Sequence, residues 1–285
     1  MNNPSFASRQ IGDFTVTALS DGNMAASLDL LSGIETADAA KIQRDAGLAE
    51  PGNIHINCYL IRGPGRTLLV DSGTGGLNNS GGKLGENLRS AGVAPEDIDT
   101  VLLTHAHPDH IGGLLDAQGQ PVYPNAEIHI HPLEAQYWRD DSKMMQVAEH
   151  RQRNFLLARR MLTAYAAKLK FLDGAEIVKG IRSVWLPGHT PGHSGYRIDS
   201  GEQSLLIWGD IVHFPHIQSA QPGVSIAFDC DPVQAENTRK TIMAQVAREK
   251  LLVAGMHFGE PGFAHIVPVT PPDNTDGYHV AYPKS

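Results

Sequence analysis

The alternation of apolar and polar positions divides the chain into two halves of similar grain: short strands, then a helix, then a loop rich in ionisable residues. Gly12 to Gly22 (GDFTVTALSDG) alternates and ends on a turn signal, the mark of a strand buried on one face. Residues 23–53 show no clear strand character. Within them Thr36 to Ala46 reads as a short helix, with Thr36 as N-cap and Gly47 as its stop. Such a long connection in a compact domain points to a flap or an oligomer contact. Ile54 to Ile61 and Thr67 to Val70 are two strands joined by the hairpin turn RGPGR, and Leu84 to Ala91 is a helix stopped by Gly92. Val101 to Leu103 is a buried strand, and Ala126 to His131 alternates like a strand at a sheet margin.

Pro132 to Arg139 reads as a short helix, and residues 142–168 hold the longest helical pattern. Its stripe of Met144, Val147, Phe155, Leu156, Met161, Leu162 and Tyr165 predicts a helix packed on the body, with a lid over a site as its second possible role. Short strands follow over 175–178, 181–186, 195–198 and 205–208, then a helix over 232–247 and a strand over 251–254. No fixed-period repeat interrupts this order. The expected organisation is one domain over 1–285, with 23–53 as an N-terminal flap or dimer segment and 142–168 as a helical insert.

Composition narrows the class of function. At 285 residues, 41% hydrophobic and 19% charged, the chain can bury a substantial core. A formal charge of −8 argues against a nucleic-acid surface, which needs clustered Lys and Arg. No apolar run approaches the roughly 20 residues that span a bilayer, so no membrane role is expected. The start, Met1 to Arg9, lacks the charged-then-apolar pattern of a secretory signal, and the expected location is the cytoplasm. The two cysteines cannot form a framework. Cys58 sits in an apolar strand as a core residue, while Cys230 reads as a loop thiol, with a metal ligand as the alternative.

The fourteen histidines carry the chemistry. Leu102 to Gly113 (LLTHAHPDHIGG) runs from a buried strand into three histidines and an aspartate within six positions. Imidazole and carboxylate are preferred ligands of zinc and neighbouring first-row metals. Side chains two apart at a strand end point the same way, so His105 and His107 can share one ion. Asp109 and His110, turned by Pro108, can reach a second. Later loops add His189 (PGHTPGHS), Asp210 (WGD) and His257 (GMH), for five imidazoles and two carboxylates in all. That set suits two ions with one bridging carboxylate and open positions for water. Two ions about 3.5–4 Å apart can hold a hydroxide that exists at neutral pH and attacks a carbonyl or phosphoryl centre. Asp71, in a glycine-rich loop after a strand, is expected to accept the free ring N–H of a metal-bound histidine and fix its tautomer. His129 and His131, with no acidic partner nearby, read as surface residues.

With these motifs in place, THAHPDH over 104–110, Gly188-His189-Thr190, Gly209-Asp210 and the later His257, the chain resembles the metallo-β-lactamase superfamily. The resemblance implies an α/β fold, an αββα sandwich of two mixed sheets flanked by helices, with a dinuclear site at one sheet edge. It implies His105, His107 and His189 on one metal, Asp109, His110 and His257 on the other, and Asp210 between them, with His193 structural. Tyr123-Pro-Asn-Ala, Glu134 to Trp138, Val224 to Asp231 and Phe258 to His265 make the chain most similar to the methyl parathion hydrolase and lactonase group. Members of that group imply zinc, with manganese, iron or cobalt as alternatives, and a homodimer. Trp138 matches an aromatic residue of the leaving-group pocket, and Phe214 and Phe228 are expected to line the substrate pocket beside it. The usual Phe after Gly76-Leu77 is replaced by Asn78, which argues against a nitrophenyl phosphotriester.

His213 stands three residues after Asp210, where homoserine-lactone-hydrolysing relatives carry a substrate-contacting Tyr. A His there can donate to the developing oxyanion or protonate the leaving alkoxide. The expected reaction is metal-assisted opening of a lactone (an acyl-homoserine or aryl lactone) or cleavage of an ester, with Asp210 orienting the bridging hydroxide. The rivals are a phosphotriesterase, a glutathione-type thioesterase, and a non-hydrolytic metal-binding or oxygen-handling protein. The thioesterase needs a C-terminal basic cluster, and residues 255–285 carry only Lys284.

Overall fold

The computed structural model describes residues 6–269 and 277–283, so residues 1–5 of the N-terminal segment and Lys284 lie outside the described residues. In the first half, β1 (Ser8–Ile11) and β2 (Phe14–Ala25) form a hairpin, followed by β3 (Leu31–Ser32), α1 (Thr36–Asp45), β4 (Asn53–Gly63) and β5 (Arg66–Val70). Next come α2 (Leu84–Ser90), β6 (Thr100–Leu102), α3 (Pro108–Ile111) and β7 (Glu127–Ile130). Three helices, α4 (Pro132–Arg139), α5 (Asp141–Gln146) and α6 (Glu149–Ala164), lead to β8 (Leu169–Phe171). These strands make one sheet in the order β1-β2-β4-β5-β6-β7-β8, antiparallel up to β5 and parallel beyond it.

The second half contributes β9 (Glu176–Val178), β10 (Ile181–Trp185), β11 (Ser194–Ser200), β12 (Gln203–Ile207), α7 (Pro215–Ala220) and β13 (Ser225–Ile226). It closes with α8 (Pro232–Glu249), β14 (Leu252–Ala254), β15 (Phe263–Pro268) and β16 (Tyr278–Ala281). The second sheet is ordered β16-β15-β14-β12-β11-β10-β9, while β13 pairs with β3 as a small separate ribbon.

Period two along the strands creates the layers. Tyr59, Ile61, Leu68, Val70 and Leu102 point from the first sheet toward the second, where they meet Tyr196, Ile198, Leu205, Ile207 and Phe263. Their alternates Cys58, Leu60, Leu69 and Val101 face outward and are covered by Leu84 and Leu88 of α2 and by Phe155, Ala158 and Met161 of α6. On the far side Leu206, Val253 and Ala264 receive Ile242, Met243 and Val246 of α8. Helix, sheet, sheet, helix: this is the αββα sandwich that the resemblance implies.

Several boundaries differ from expectation. The helical pattern of 142–168 is broken, because Val147 takes extended backbone and tucks against the core beside Phe155, ending α5 before α6 starts. Leu156 of the expected stripe is exposed, and α8 with 18 residues exceeds α6 with 16. β7 lies inside the sheet, since the three-residue β8 covers its edge. Thr36 is the first helical residue and Glu35 the cap; the Thr36 hydroxyl donates instead to Asp29 (2.8 Å). Residues 23–53 are anchored: Leu28, Leu31 and Ala39 pack on Phe214, Ile217 and Ile226.

Candidate metal centre

The site forms where loops leave the strand ends of both sheets. Beyond β6, His105 Nε2 and His107 Nδ1 lie 2.9 Å apart, and His189 Nε2, from the loop between β10 and β11, lies 2.9 Å from the latter and 3.2 Å from the former. Three ring nitrogens cannot all hydrogen-bond one another, since each offers a single lone pair or proton in its ring plane. Nitrogens bound to one tetrahedral zinc ion lie about 3.3 Å apart, which is the spacing this triangle approaches.

A second group adjoins the first. His110 Nε2 is 3.3 Å from Asp109 Oδ2 and 3.2 Å from Asp210 Oδ2, and His257 Nε2 is 3.3 Å from Asp210 Oδ1. Asp210 Oδ2 also lies 3.8 Å from His105 Nε2 and 3.5 Å from His189 Nε2, so one carboxylate faces both groups. His213 Nε2 approaches the same oxygen at 3.2 Å, and its ring stacks on that of His257. The structure therefore brings His105, His107, Asp109, His110, His189, Asp210, His213 and His257 to one point.

The donor set fits a pair of divalent cations. Asp210 Oδ1 and His257 Nε2, although 3.3 Å apart, are not aligned for a hydrogen bond and are buried with no other partner, a costly state that a cation would relieve. Burial holds His105 and His107 well below the ordinary imidazole value, so both are neutral, the form that ligates. At His110 burial acts in the same direction, but Asp210, Asp109 and Asp71 outweigh it and push the ring upward. That surplus of buried negative charge is what a cation would neutralise.

The remaining ring nitrogens are held from behind. Asp71, at φ 58°, accepts from Thr104 N–H (2.8 Å) and Thr104 Oγ1 (2.7 Å) and pairs with His110 Nδ1 at 2.7 Å. His257 Nδ1 donates to the His55 carbonyl (2.8 Å), and His189 Nδ1 meets Asp229 Oδ1 at 2.9 Å. Asp229 in turn lies 3.7 Å from buried Arg239 of α8, whose guanidinium also donates to the carbonyls of Ile211, Pro222 and Val224. His193 accepts from the Asp210 N–H (2.9 Å) and donates to Leu186 O. Gly209 makes this approach possible, since a Cβ there would stand 2.4 Å from His193 Nε2.

Glu134, which the sequence marks only as part of the Glu134–Trp138 resemblance, is fully buried. It accepts from Ala106 N–H, Trp138 Nε1, Thr190 Oγ1 and Gly192 N–H, tying α4 to the loops of His105 and His189. Asp229 was likewise missed. No local motif marks either residue, because most of the partners are remote in sequence: three of Glu134's four donors lie 28, 56 and 58 positions away, and Asp229 lies 40 positions from His189.

A cavity of about 650 Å³ opens over Asp109, Asp210 and His213, with Met24, Leu30, Leu77 and Phe228 among its apolar walls. A smaller one of about 280 Å³ lies beside His107 and Trp138 and shares Phe228. Trp138 is buried, its ring 5.5 Å from that of His107. Phe214 is a correction: it is buried among Leu28, Leu31, Ala39 and Ile217 and lines neither cavity. Phe214 is the N-cap of α7, and the chain bends there, so His213 stays at the site while its neighbour turns into the apolar cluster under residues 28–39. Cys230 is exposed, its Sγ 3.4 Å from the Tyr137 hydroxyl, and joins none of the ligand groups. His131 caps α4 and stacks on Trp185, away from the site.

Two packed mixed sheets between helices, with a double histidine–aspartate cluster at one sheet edge, define a class of metal-binding αββα proteins. The chain belongs to the metallo-beta-lactamase superfamily, whose sequence profile matches residues 51–257. Among curated relatives, the uncharacterized protein YobT of Bacillus subtilis is 26% identical over 56% of this chain and 63% of its own length. An N-acyl homoserine lactonase of Bacillus thuringiensis is 25% identical over 70% of this chain and 80% of that one. Among solved structures, AidC, described as a dizinc quorum-quenching lactonase in complex with its product, superposes with a TM-score of 0.90 at 28% identity, over 98% of this chain and 97% of that one. The hydrolase AbOPH superposes at 0.89 with 28% identity, covering 98% of each chain.

Proposed function

We propose that the protein is a metal-dependent hydrolase that opens a lactone or cleaves a carboxylic ester. The observation that carries this reading is Asp210, whose carboxylate faces both ligand groups at the floor of an open cavity. His105, His107 and His189 would hold one cation, Asp109, His110 and His257 the other, with Asp210 shared. Nitrogen and oxygen donors without thiolate suit zinc, with manganese, iron and cobalt as alternatives. Cations bound there supply Lewis acidity toward a carbonyl oxygen and acidify water enough to act at neutral pH.

The chain's own residues do the rest. Asp71, Asp229 and the His55 carbonyl fix the tautomers that aim His110, His189 and His257 inward. His213, buried against Asp210 with its Nδ1 unpaired, holds the proton that a departing alkoxide needs. Phe228, Met24 and Leu30 bind the apolar part of the substrate and keep bulk water from the acyl group. The lactonases among the similar proteins support the choice of a lactone as substrate.

Elemental analysis of the purified protein, together with turnover of a γ-lactone, an aryl lactone, an aryl ester and a phosphotriester, tests the reading. About two divalent cations per chain and preferred turnover of a lactone or ester are expected. Undiminished turnover after complete chelation, or none of any lactone or ester by the loaded protein, overturns it.

A further inference from the structure

The cavity over Asp109, Asp210 and His213 is not apolar throughout: Arg151 and Arg153, from the start of α6, also line it. Its acidic residues, Asp109 and Asp210, lie at the floor within the ligand groups. Neither arginine has a carboxylate within 4.0 Å among the described residues, although the chain carries a formal charge of −8. Arg151 is held in place by donating to the carbonyl of Ala227 (3.0 Å), the residue before the cavity-lining Phe228. The Arg153 side chain makes no hydrogen bond among the described residues and keeps its guanidinium donors available. A guanidinium presents a planar fork that matches a carboxylate, and one already positioned gives up less freedom on binding.

We propose that the substrate carries a carboxylate apart from its scissile acyl group, and that Arg151 and Arg153 bind it. The preferred substrates are then acidic lactones or esters, in which an apolar spacer along Phe228 and Leu30 separates the reacting carbonyl from the anionic tail. This inference rests on the hydrolytic reading of the site and specifies its substrate class.

The test compares N-adipoyl-homoserine lactone, which ends in a carboxylate, with its neutral counterpart N-hexanoyl-homoserine lactone on the metal-loaded protein. At low ionic strength kcat/KM should favour the acidic lactone by about tenfold or more, the worth of one charge-assisted hydrogen bond. The preference should shrink as salt rises. The ratio should fall to about one in the double variant Arg151→Gln/Arg153→Gln, and part-way in Arg153→Gln, an exposed position whose substitution leaves the fold intact. A wild-type ratio of one or less, or a ratio unchanged in the double variant, overturns the proposal. A second arm needs no turnover: calorimetry with ring-opened N-adipoyl-homoserine and N-hexanoyl-homoserine. Binding about tenfold tighter for the former, lost in the double variant, sustains the arginine site even if neither lactone is hydrolysed and the hydrolytic reading fails. Equal binding overturns it.

Discussion

Asp229 Oδ1 stands 2.9 Å from His189 Nδ1, on the side of the ring away from His105 and His107. The pair links the loop before α8 to the ligand cluster and leaves His189 Nε2 as the free donor. Burial pushes the Asp229 carboxyl upward, but the His189 bond and nearby Arg239 hold it below the usual carboxylate range, so it is ionised. Asp229→Asn replaces the charge with an amide that can present its NH₂ to Nδ1 and reverse the tautomer. We expect metal affinity to fall by about 10- to 100-fold, measured by competition with a chromogenic chelator. Wild-type affinity in the variant would remove Asp229 from this role.

His107 is the partly exposed member of the first triangle, and its Nδ1 makes both of the 2.9 Å approaches there. His107→Ala leaves that triangle with two nitrogens. Elemental analysis should show at least one cation lost per chain, with hydrolysis nearly abolished. A variant that stays fully active while depleted of metal would refute the ligand assignment.

His213 touches Asp210, stacks on His257 and forms a third possible ligand group with His189 and Asp210, yet the sets His105, His107, His189 and Asp109, His110, Asp210, His257 assemble without it. His213→Ala should therefore keep its metal and lose about 10- to 100-fold in kcat, the low end of what a positioned proton donor supplies. Slow substrates with poor leaving groups should suffer most. Unchanged kcat across leaving groups would exclude proton donation, and loss of metal would make His213 a ligand instead.

Local sequence carried much of this site. His105 and His107 are two apart at the end of a strand, so period two alone predicts that they converge. His189, Asp210 and His257 each follow a short strand at a Gly-marked turn, which flags them without saying where they meet. The supporting groups were illegible for a physical reason: a carboxylate that orients a ring is chosen by the fold, at any sequence distance. Asp71 could be anticipated because it ends a strand adjacent to β6. Glu134 could not, since its four donors come from three separate segments. Helix continuity failed at Val147, where neither Gly nor Pro announces the break and tertiary packing alone extends the backbone. Phe214 is next to His213 in sequence, but the bend that starts α7 sends it to the core, and nothing local in the sequence gives the direction of that bend.

Phe214 and Phe228 now separate stability from substrate binding. Phe214 is fully buried between α7 and residues 28–39, so Phe214→Ala should cost about 3–5 kcal/mol, read by chemical denaturation. Phe228 lines both cavities and is half-buried, so Phe228→Ala should raise KM for substrates with long apolar tails at little cost in stability. A KM effect at Phe214 equal to that at Phe228 would restore the original placement.

Glu134 offers the most demanding test of how the two halves are joined. Burial pushes its carboxyl upward, while the four donors around its two oxygens pull the other way and are satisfied together only by the ionised form. In Glu134→Ala all four donors lose their acceptor, two of them backbone N–H groups, one between His105 and His107 and one three residues after His189. Unpaired buried donors cost about 1–3 kcal/mol each, and partial access of water to the vacated space offsets some of that. We expect a net loss of about 3–5 kcal/mol in chelator-treated protein, where cations cannot mask the change. Glu134→Gln keeps one acceptor oxygen but turns a donor toward a donor, so it should recover only part of the loss. Full recovery by Gln would mean that shape, rather than the charge satisfying four donors, is what Glu134 supplies.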